Sequence, residues 1–286
     1  MILAAFRGEL FKAVRRPANR VTIVLLLVLA VGLGYVLTWV IANHPPTGRR
    51  GGGLTSADIA ALKAGLYPGH LVRQTLGGWA SLGGVFALIL GVLSQGSEYG
   101  WETVKTMFTQ RPSRLTMLAG KFIALALTVA VMVVGLFVVN AVASLAIASA
   151  DGATTAFPPA IDVVKGLAAT WLIFAFWAML GVVLATLFRQ SAMAIGLGLA
   201  YGLIIEDLVF GLLSRLNSDT IKSIQELMPI SNAGYLVAAF GAAARTGGAP
   251  APAPLADGPH AVLVLTAWAG GLAIATALLV RGRDVT

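Results

Sequence analysis

Charged residues in this 286-residue chain are few and bunched, and between the bunches lie apolar runs of about 20 residues. Each run is long enough to cross roughly 30 Å of hydrocarbon as a helix. Only 11% of the residues are charged, against about 25% in a soluble domain, and 58% are hydrophobic. Short strands of alternating polarity are missing, which argues against a barrel. Helices are then the remaining way to satisfy the backbone in lipid. The expected fold class is an all-α integral membrane protein, one transmembrane domain over residues 1–286. Six spans are predicted, at 21–41, 78–95, 121–148, 166–188, 191–213 and 261–280. The third is over-long and predicts a tilt. Arg189-Gln190 separates the fourth and fifth as a tight cytoplasmic turn. The chain opens on a charged amphipathic stretch instead of a short apolar core and a small-residue cleavage site, so no signal peptide is expected.

The net charge of +8 invites a nucleic-acid reading, and sorting the charges removes it. With the N-terminus inside, the cytoplasmic segments hold twelve basic and four acidic residues, and the outer side holds eight of each. The whole excess then falls on one face, as the positive-inside rule expects, with both termini cytoplasmic in the plasma membrane. The expected partner is the bilayer, not nucleic acid.

Chemistry of several kinds is excluded. There are no cysteines, hence no disulfides, thiolate metal sites or cysteine nucleophiles. His44, His70 and His260 are scattered through outer loops and form no metal cluster. Gly120-Lys121 lacks the upstream glycine and the following Ser or Thr of a P-loop. No H-E-x-x-H or G-x-S-x-G pattern occurs. The chain is not expected to be an enzyme alone, nor to bind a metal or cofactor itself.

The segments outside the spans differ in character. Residues 1–20 predict a cytoplasmic interfacial helix: Ile2, Leu3, Phe6, Leu10 and Val14 share a stripe, Arg7, Lys12, Arg15 and Arg16 lie mostly off it, and Pro17 ends it. Such a helix is either a basic topology anchor or a partner contact. The first outer loop contains a short helix from Ser56, capped by Ser56 or Asp58, with Ile59, Leu62 and Leu66 on one face. The extracytoplasmic segment 214–259 begins with Ile221, Ile224, Leu227 and Met228 at helical spacing. Pro229 breaks that run, and an apolar stretch too short to span follows, the pattern of two short re-entrant or interfacial helices. Residues 247–259 are rich in Ala, Pro and Gly and read as a linker.

Within the spans, Glu206-Asp207 is the one acidic pair. Carboxylates inside a membrane are costly and draw a functional hypothesis. Neighbours on a helix point about 100° apart, so these two do not form an acid/base dyad. They either mark where the fifth helix reaches the outer interface or, with Tyr201, line a substrate path or outer gate. Gly83, Gly84, Gly198 and Gly202 permit close helix approach, either within the chain or between copies.

Between the second and third spans, residues 96–114 form one charged, amphipathic cytoplasmic segment. As a helix, Trp101, Val104, Met107 and Phe108 make an anchoring face, and Glu98, Glu102 and Lys105 face water or a partner. An aromatic such as Trp101 is the kind of residue that anchors an interface.

These residues carry a family resemblance. Ser97-Glu98-Tyr99, then Thr103-Val104-Lys105, Arg111-Pro112-Ser113-Arg114, and Lys121 at the start of the third span match the order seen in the six-span permease subunit of type-2 ABC exporters. Glu9-Leu10-Phe11-Lys12 with Arg15-Arg16 before the first span resembles the same family, as do an acidic residue late in the fifth span and then Met228-Pro229. The long Gly/Pro-rich outer loops depart from its leanest members. The resemblance implies a homodimer in which each copy docks a separate ATP-binding subunit, two in all, supplying ATP and Mg. A coupling helix containing Glu98, Tyr99, Trp101, Glu102, Thr103, Lys105, Phe108, Arg111 and Arg114 would carry the ATPase motion to the spans as a lever. Gly83, Gly84, Gly198 and Gly202 are then the candidate dimer contacts. Two other classes stay open: a stand-alone secondary transporter or channel using Glu206 or Asp207, and a non-transporting membrane scaffold.

Overall fold

The computed structural model describes residues 2–44, 55–100, 114–213, 216, 218–242, 245–246, 249–250 and 254–282, with side chains left out at 97–100, 114, 245–246 and 249–250. In chain order the helices are α1 (Ile2–Arg15), α2 (Pro17–Asn43), α3 (Ser56–Gly65), α4 (Leu71–Gly100), α5 (Arg114–Ala150), α6 (Ala160–Phe188), α7 (Ser191–Leu213), α8 (Asp219–Gln225), α9 (Pro229–Ala239) and α10 (Gly258–Gly282). Six of these, α2, α4, α5, α6, α7 and α10, are long and apolar enough to cross a membrane. The chain is an all-α, multi-pass membrane protein.

The boundaries move outward from those expected. The second span is helical from Leu71, not 78, and the third starts at Arg114, not 121. Hydropathy finds where lipid contact begins, whereas a backbone already paired i→i−4 simply continues past that point. The turn between α6 and α7 is as short as expected. Arg189 takes a left-handed conformation (φ 55°) and its N–H closes on Ala185 O.

Contacts fix the direction of the first five spans. Arg16 lies against Leu93, and Gln74 against Gly34, so α2 and α4 run antiparallel. Asn140 bonds Thr75 and Lys121 bonds Gln95, which sets α5 antiparallel to α4. Gly83 faces Phe174 while Gly181 faces Leu88, so α6 runs parallel to α4. Gly96 meets Ser191 and Gly198 meets Leu88, returning α7 in the opposite sense. These five spans therefore alternate. The end bearing α1 is called basal here, and the other end distal.

The core centres on α4 and α6. A Cβ added to Gly91 would lie 2.0 Å from Ala178 O, and one on Gly181 would lie 2.3 Å from Leu88 O. The two backbones thus touch from both sides, the small-residue packing that lipid-embedded helices use in place of a hydrophobic drive. Trp177, Phe174, Phe176, Leu88 and Ile173 fill the surrounding volume and are buried. Several buried polar groups are paired locally. Thr170, Thr186 and Thr276 return their hydroxyls to the carbonyl four residues back, and Trp171 Nε1 donates to Ala126 O.

Asp151 ties three distal ends together. Its carboxylate accepts from Trp39 Nε1 at the end of α2 and from Tyr67 OH before α4, each at 3.3 Å. Partial burial, and then this carboxylate, push the Tyr67 phenol up. The cap of α3 differs from expectation. Thr55 is the N-cap, its hydroxyl accepting from Asp58 N while Asp58 Oδ2 accepts from Thr55 N, a reciprocal capping box. In segment 214–259, Pro229 does not merely break a helix: it occupies the first turn of α9, where its missing N–H costs nothing. A two-residue ladder pairs β1 (Arg245–Thr246) with β2 (Ala249–Pro250), the second of which lies in the stretch read as linker.

Candidate functional site

Polar clusters occur at both ends of the apolar body. One distal cluster centres on Glu206, which is only 4% exposed. Its Oε1 accepts from Ser231 N at 2.7 Å and from Ser231 Oγ at 3.0 Å. Its Oε2 accepts from Ile230 N at 3.2 Å and from Tyr201 OH at 3.0 Å. Ile230 and Ser231 are in the first turn of α9, whose N–H groups have no partner within the helix. A carboxylate there meets both the free donors and the positive end of the helix dipole. Glu206 thus works as a cap supplied by another element.

The backbone explains how Tyr201 and Glu206 meet. Five residues apart, they point away from each other on an α-helix. Here Tyr201–Ile205 is a π-helical turn, and its i→i+5 pairing brings residue 206 back over residue 201. A second π turn, Gly32–Leu37, lies in the first span.

The turn before α9 is held as well. Asn232 Nδ2 donates to Glu226 O and Met228 O, both at 2.7 Å. His260 Nε2 donates to Glu226 O at 3.0 Å, and Trp268 Nε1 donates to Leu227 O at 2.8 Å. Sequence reasoning missed Ser231, Asn232 and Trp268, and considered His260 only as a metal ligand. The legible signal was Pro229 two residues before Ser231, an N-terminal helix signature. Asp207, beside Glu206, takes a separate direction. It is half-buried, and its Oδ2 is buried without a hydrogen-bond partner among the described residues. The two carboxylates do not share a partner, as expected for helix neighbours.

The glycines named as candidate dimer contacts are buried and pack within the chain, the first of the two uses the sequence left open for them. A Cβ on Gly83 would stand 2.2 Å from Phe174, and one on Gly84 2.4 Å from Trp177 Nε1. On Gly198 it would stand 2.5 Å from Leu88, and on Gly202 2.1 Å from Trp177. Intrachain aromatic and leucine side chains fill the space each glycine opens.

At the basal end, Lys121 is buried and donates to Gln95 Oε1 at 2.9 Å, and Arg16 Nη1 donates to Leu93 O at 3.1 Å. α1 packs along α5, where Gly120 leaves room for Ala5 and Phe6. This splits the stripe expected on α1. Phe6 and Leu10 are partly covered, whereas Ile2, Leu3 and Val14 are exposed. Pro17 has no N–H for Ala13 O, and Asn19 Nδ2 supplies the bond at 3.1 Å. Of the expected coupling residues, Glu98, Tyr99 and Arg114 are placed by backbone only, in the end turns of α4 and α5. Trp101, Glu102, Thr103, Lys105, Phe108 and Arg111 lie outside the described residues. Both flanking helices reach the same basal end.

Residues 66–254 match the family described as "Protein of unknown function (DUF2705)". The chain belongs to the DUF2705 family. The sequence matches no curated protein. The DUF2705 region takes in the second to fifth spans, segment 101–113, and Glu206 with its α9 partners. It leaves out α1 and the first and sixth spans.

Proposed function

We propose that this chain is the transmembrane subunit of an ATP-driven exporter, worked by a separate ATP-binding subunit docked at its basal end. The observation that carries the reading is the meeting of α4 and α5 at that end. Their last described turns flank segment 101–113, whose Trp101, Glu102, Lys105, Phe108 and Arg111 combine an aromatic anchor with mixed charge. The Lys121–Gln95 bond and the α1–α5 contact brace the roots of that segment. A push on it would therefore reach α4, α5 and α1 together. The sequence has no P-loop of its own, so ATP and Mg would come with the partner. Two permeases would pair in the plasma membrane with both termini cytoplasmic, exposing the site alternately to each side. The cargo would pass near α7.

Purification of the native chain in mild detergent tests this. The expected result is a stoichiometric ATPase with Walker motifs, one per permease. A stable, partner-free monomer by native mass spectrometry overturns it. A stand-alone ion-coupled transporter is the second reading, favoured by the buried Asp207 Oδ2, which has no hydrogen-bond partner among the described residues. It requires flux from the purified chain alone, lost in Asp207→Asn.

A further inference from the structure

The two sides of α1 differ in what they meet. One side packs on α5 through Ala5 and Phe6, and it includes Glu9, the helix's single acid, whose carboxylate is paired with Lys12. The other side is open. Leu3, Arg7, Phe11, Val14 and Arg15 recur on it at three- and four-residue spacing, and all are exposed, Phe11 by 63%. The Arg15 guanidinium stands 5.4 Å from the centre of the Phe11 ring, so cation and aromatic share one patch. Arg20, also exposed, follows on the next helix with its Nε on Val14 O.

This patch is continuous with a surface whose solvent is lipid. Beyond Pro17, the exposed Val21, Val24, Leu25 and Val28 belong to the first span, where outward apolar side chains face hydrocarbon. An apolar stripe carrying guanidinium groups, with no ion pair to an acid among the described residues, suits the headgroup layer at the root of a span. Its leucine and phenylalanine enter the acyl boundary, and its arginines meet phosphate oxygens with charge-assisted hydrogen bonds. No acidic side chain of α1 lies on that side to repel an anion.

We propose that the exposed side of α1, with Arg7, Arg15 and Arg20, is a binding surface for anionic phospholipid headgroups. The proposal rests on the six spans and is independent of the ATP-driven reading. The test uses full-length protein in phosphatidylcholine nanodiscs doped with spin-labelled phosphatidylglycerol or spin-labelled phosphatidylcholine. The fraction of motionally restricted label gives the relative association of each lipid. Phosphatidylglycerol is expected to be preferred, the preference shrinking as salt rises. One basic residue near such a surface is worth about fivefold in association. R7Q/R15Q is therefore expected to reduce the preference by at least about fivefold, and adding R20Q to reduce it further. R73Q, an exposed arginine at the distal end, is expected to leave it unchanged. The double variant leaves the Arg20–Val14 bond in place and is judged at an unchanged gel-filtration profile. No preference in the parent protein, or an equal preference in R7Q/R15Q, overturns the proposal. So does a double variant that keeps its lipid preference but loses a co-purifying protein, since the patch is then a protein interface.

Discussion

Glu206 reaches from the fifth span to the first turn of α9, where its Oε1 accepts the backbone N–H of Ser231 at 2.7 Å. That bond, with its neighbours on Ile230 N and Tyr201 OH, makes one carboxylate the joint between a π turn in a span and a helix outside the span set. Glu206→Gln sets an amide N–H₂ against backbone donors. A loss of about 1–3 kcal/mol is expected from a buried, charge-assisted acceptor of this kind. Hydrogen exchange over 229–239 should quicken in the variant, and the melting temperature in detergent should fall. Unchanged exchange there would show that the cap is dispensable.

Close packing predicts a contrast between glycines. Gly91→Ala drives a methyl into Ala178 O, a backbone atom with no room to yield, and overpacking of this sort costs about 1–3 kcal/mol or more. Gly270→Ala, on an open helical face, meets nothing within 4 Å and gains up to about 1 kcal/mol of helix propensity. Thermal unfolding followed by gel filtration should separate the two. Equal behaviour counts against the α4–α6 contact.

If segment 98–108 is the lever of an ATP-driven exporter, Trp101→Ala and Glu98→Lys should uncouple transport without unfolding the chain. Loss of a hot-spot tryptophan is worth about 2 kcal/mol or more at an interface. Both variants should reach the membrane normally and bind the ATPase weakly, or lose substrate-stimulated hydrolysis. Pro252→Ala should change neither. Parental ATPase binding and export in both lever variants would falsify the lever.

Orientation is open to a labelling test. Cysteines at Ser113 and Thr286 should resist impermeant thiol reagents in intact cells, and one at Gly52 should react, because the positive charge concentrates on the α1 side. Labelling at Ser113 reverses the assignment.

The capping box on α3 sets a pH dependence. The Thr55 hydroxyl, and then its backbone N–H, hold the Asp58 carboxyl below its ordinary value. A carboxyl lowered on folding contributes its stabilisation above the unfolded value and loses it as pH falls through the folded one. Amide exchange in 56–65, corrected for intrinsic rates, should therefore accelerate on acidification below the ordinary aspartate range. Asp58→Asn should remove most of that dependence.

The spans were legible because each must satisfy its own backbone in lipid, so apolar length alone reports them. Their ends were less so: the helices already begin at Leu71 and Arg114, where backbone pairing extends past the apolar run. Pro229 read as a break because the missing N–H carries no sign of whether it ends one helix or opens the next. Glu206 drew attention as a costly carboxylate, yet its role depended on Ser231, 25 positions away, and on a π turn that no periodicity of 3.6 displays. The four glycines of the second and fifth spans marked close approach correctly, but the approaching group turned out to be Phe174, Trp177 and Leu88 of the same chain.

The backbone contact between α4 and α6 has a mechanical consequence. Gly91 against Ala178 and Gly181 against Leu88 leave no layer of side chains between the two helices to act as a bearing. Neither can slide or roll past the other without atoms colliding, so the pair forms a mast. If the molecule rearranges, this pair is expected to travel as one piece, and the π turns described in the first and fifth spans are the places where a change of helix length is expected.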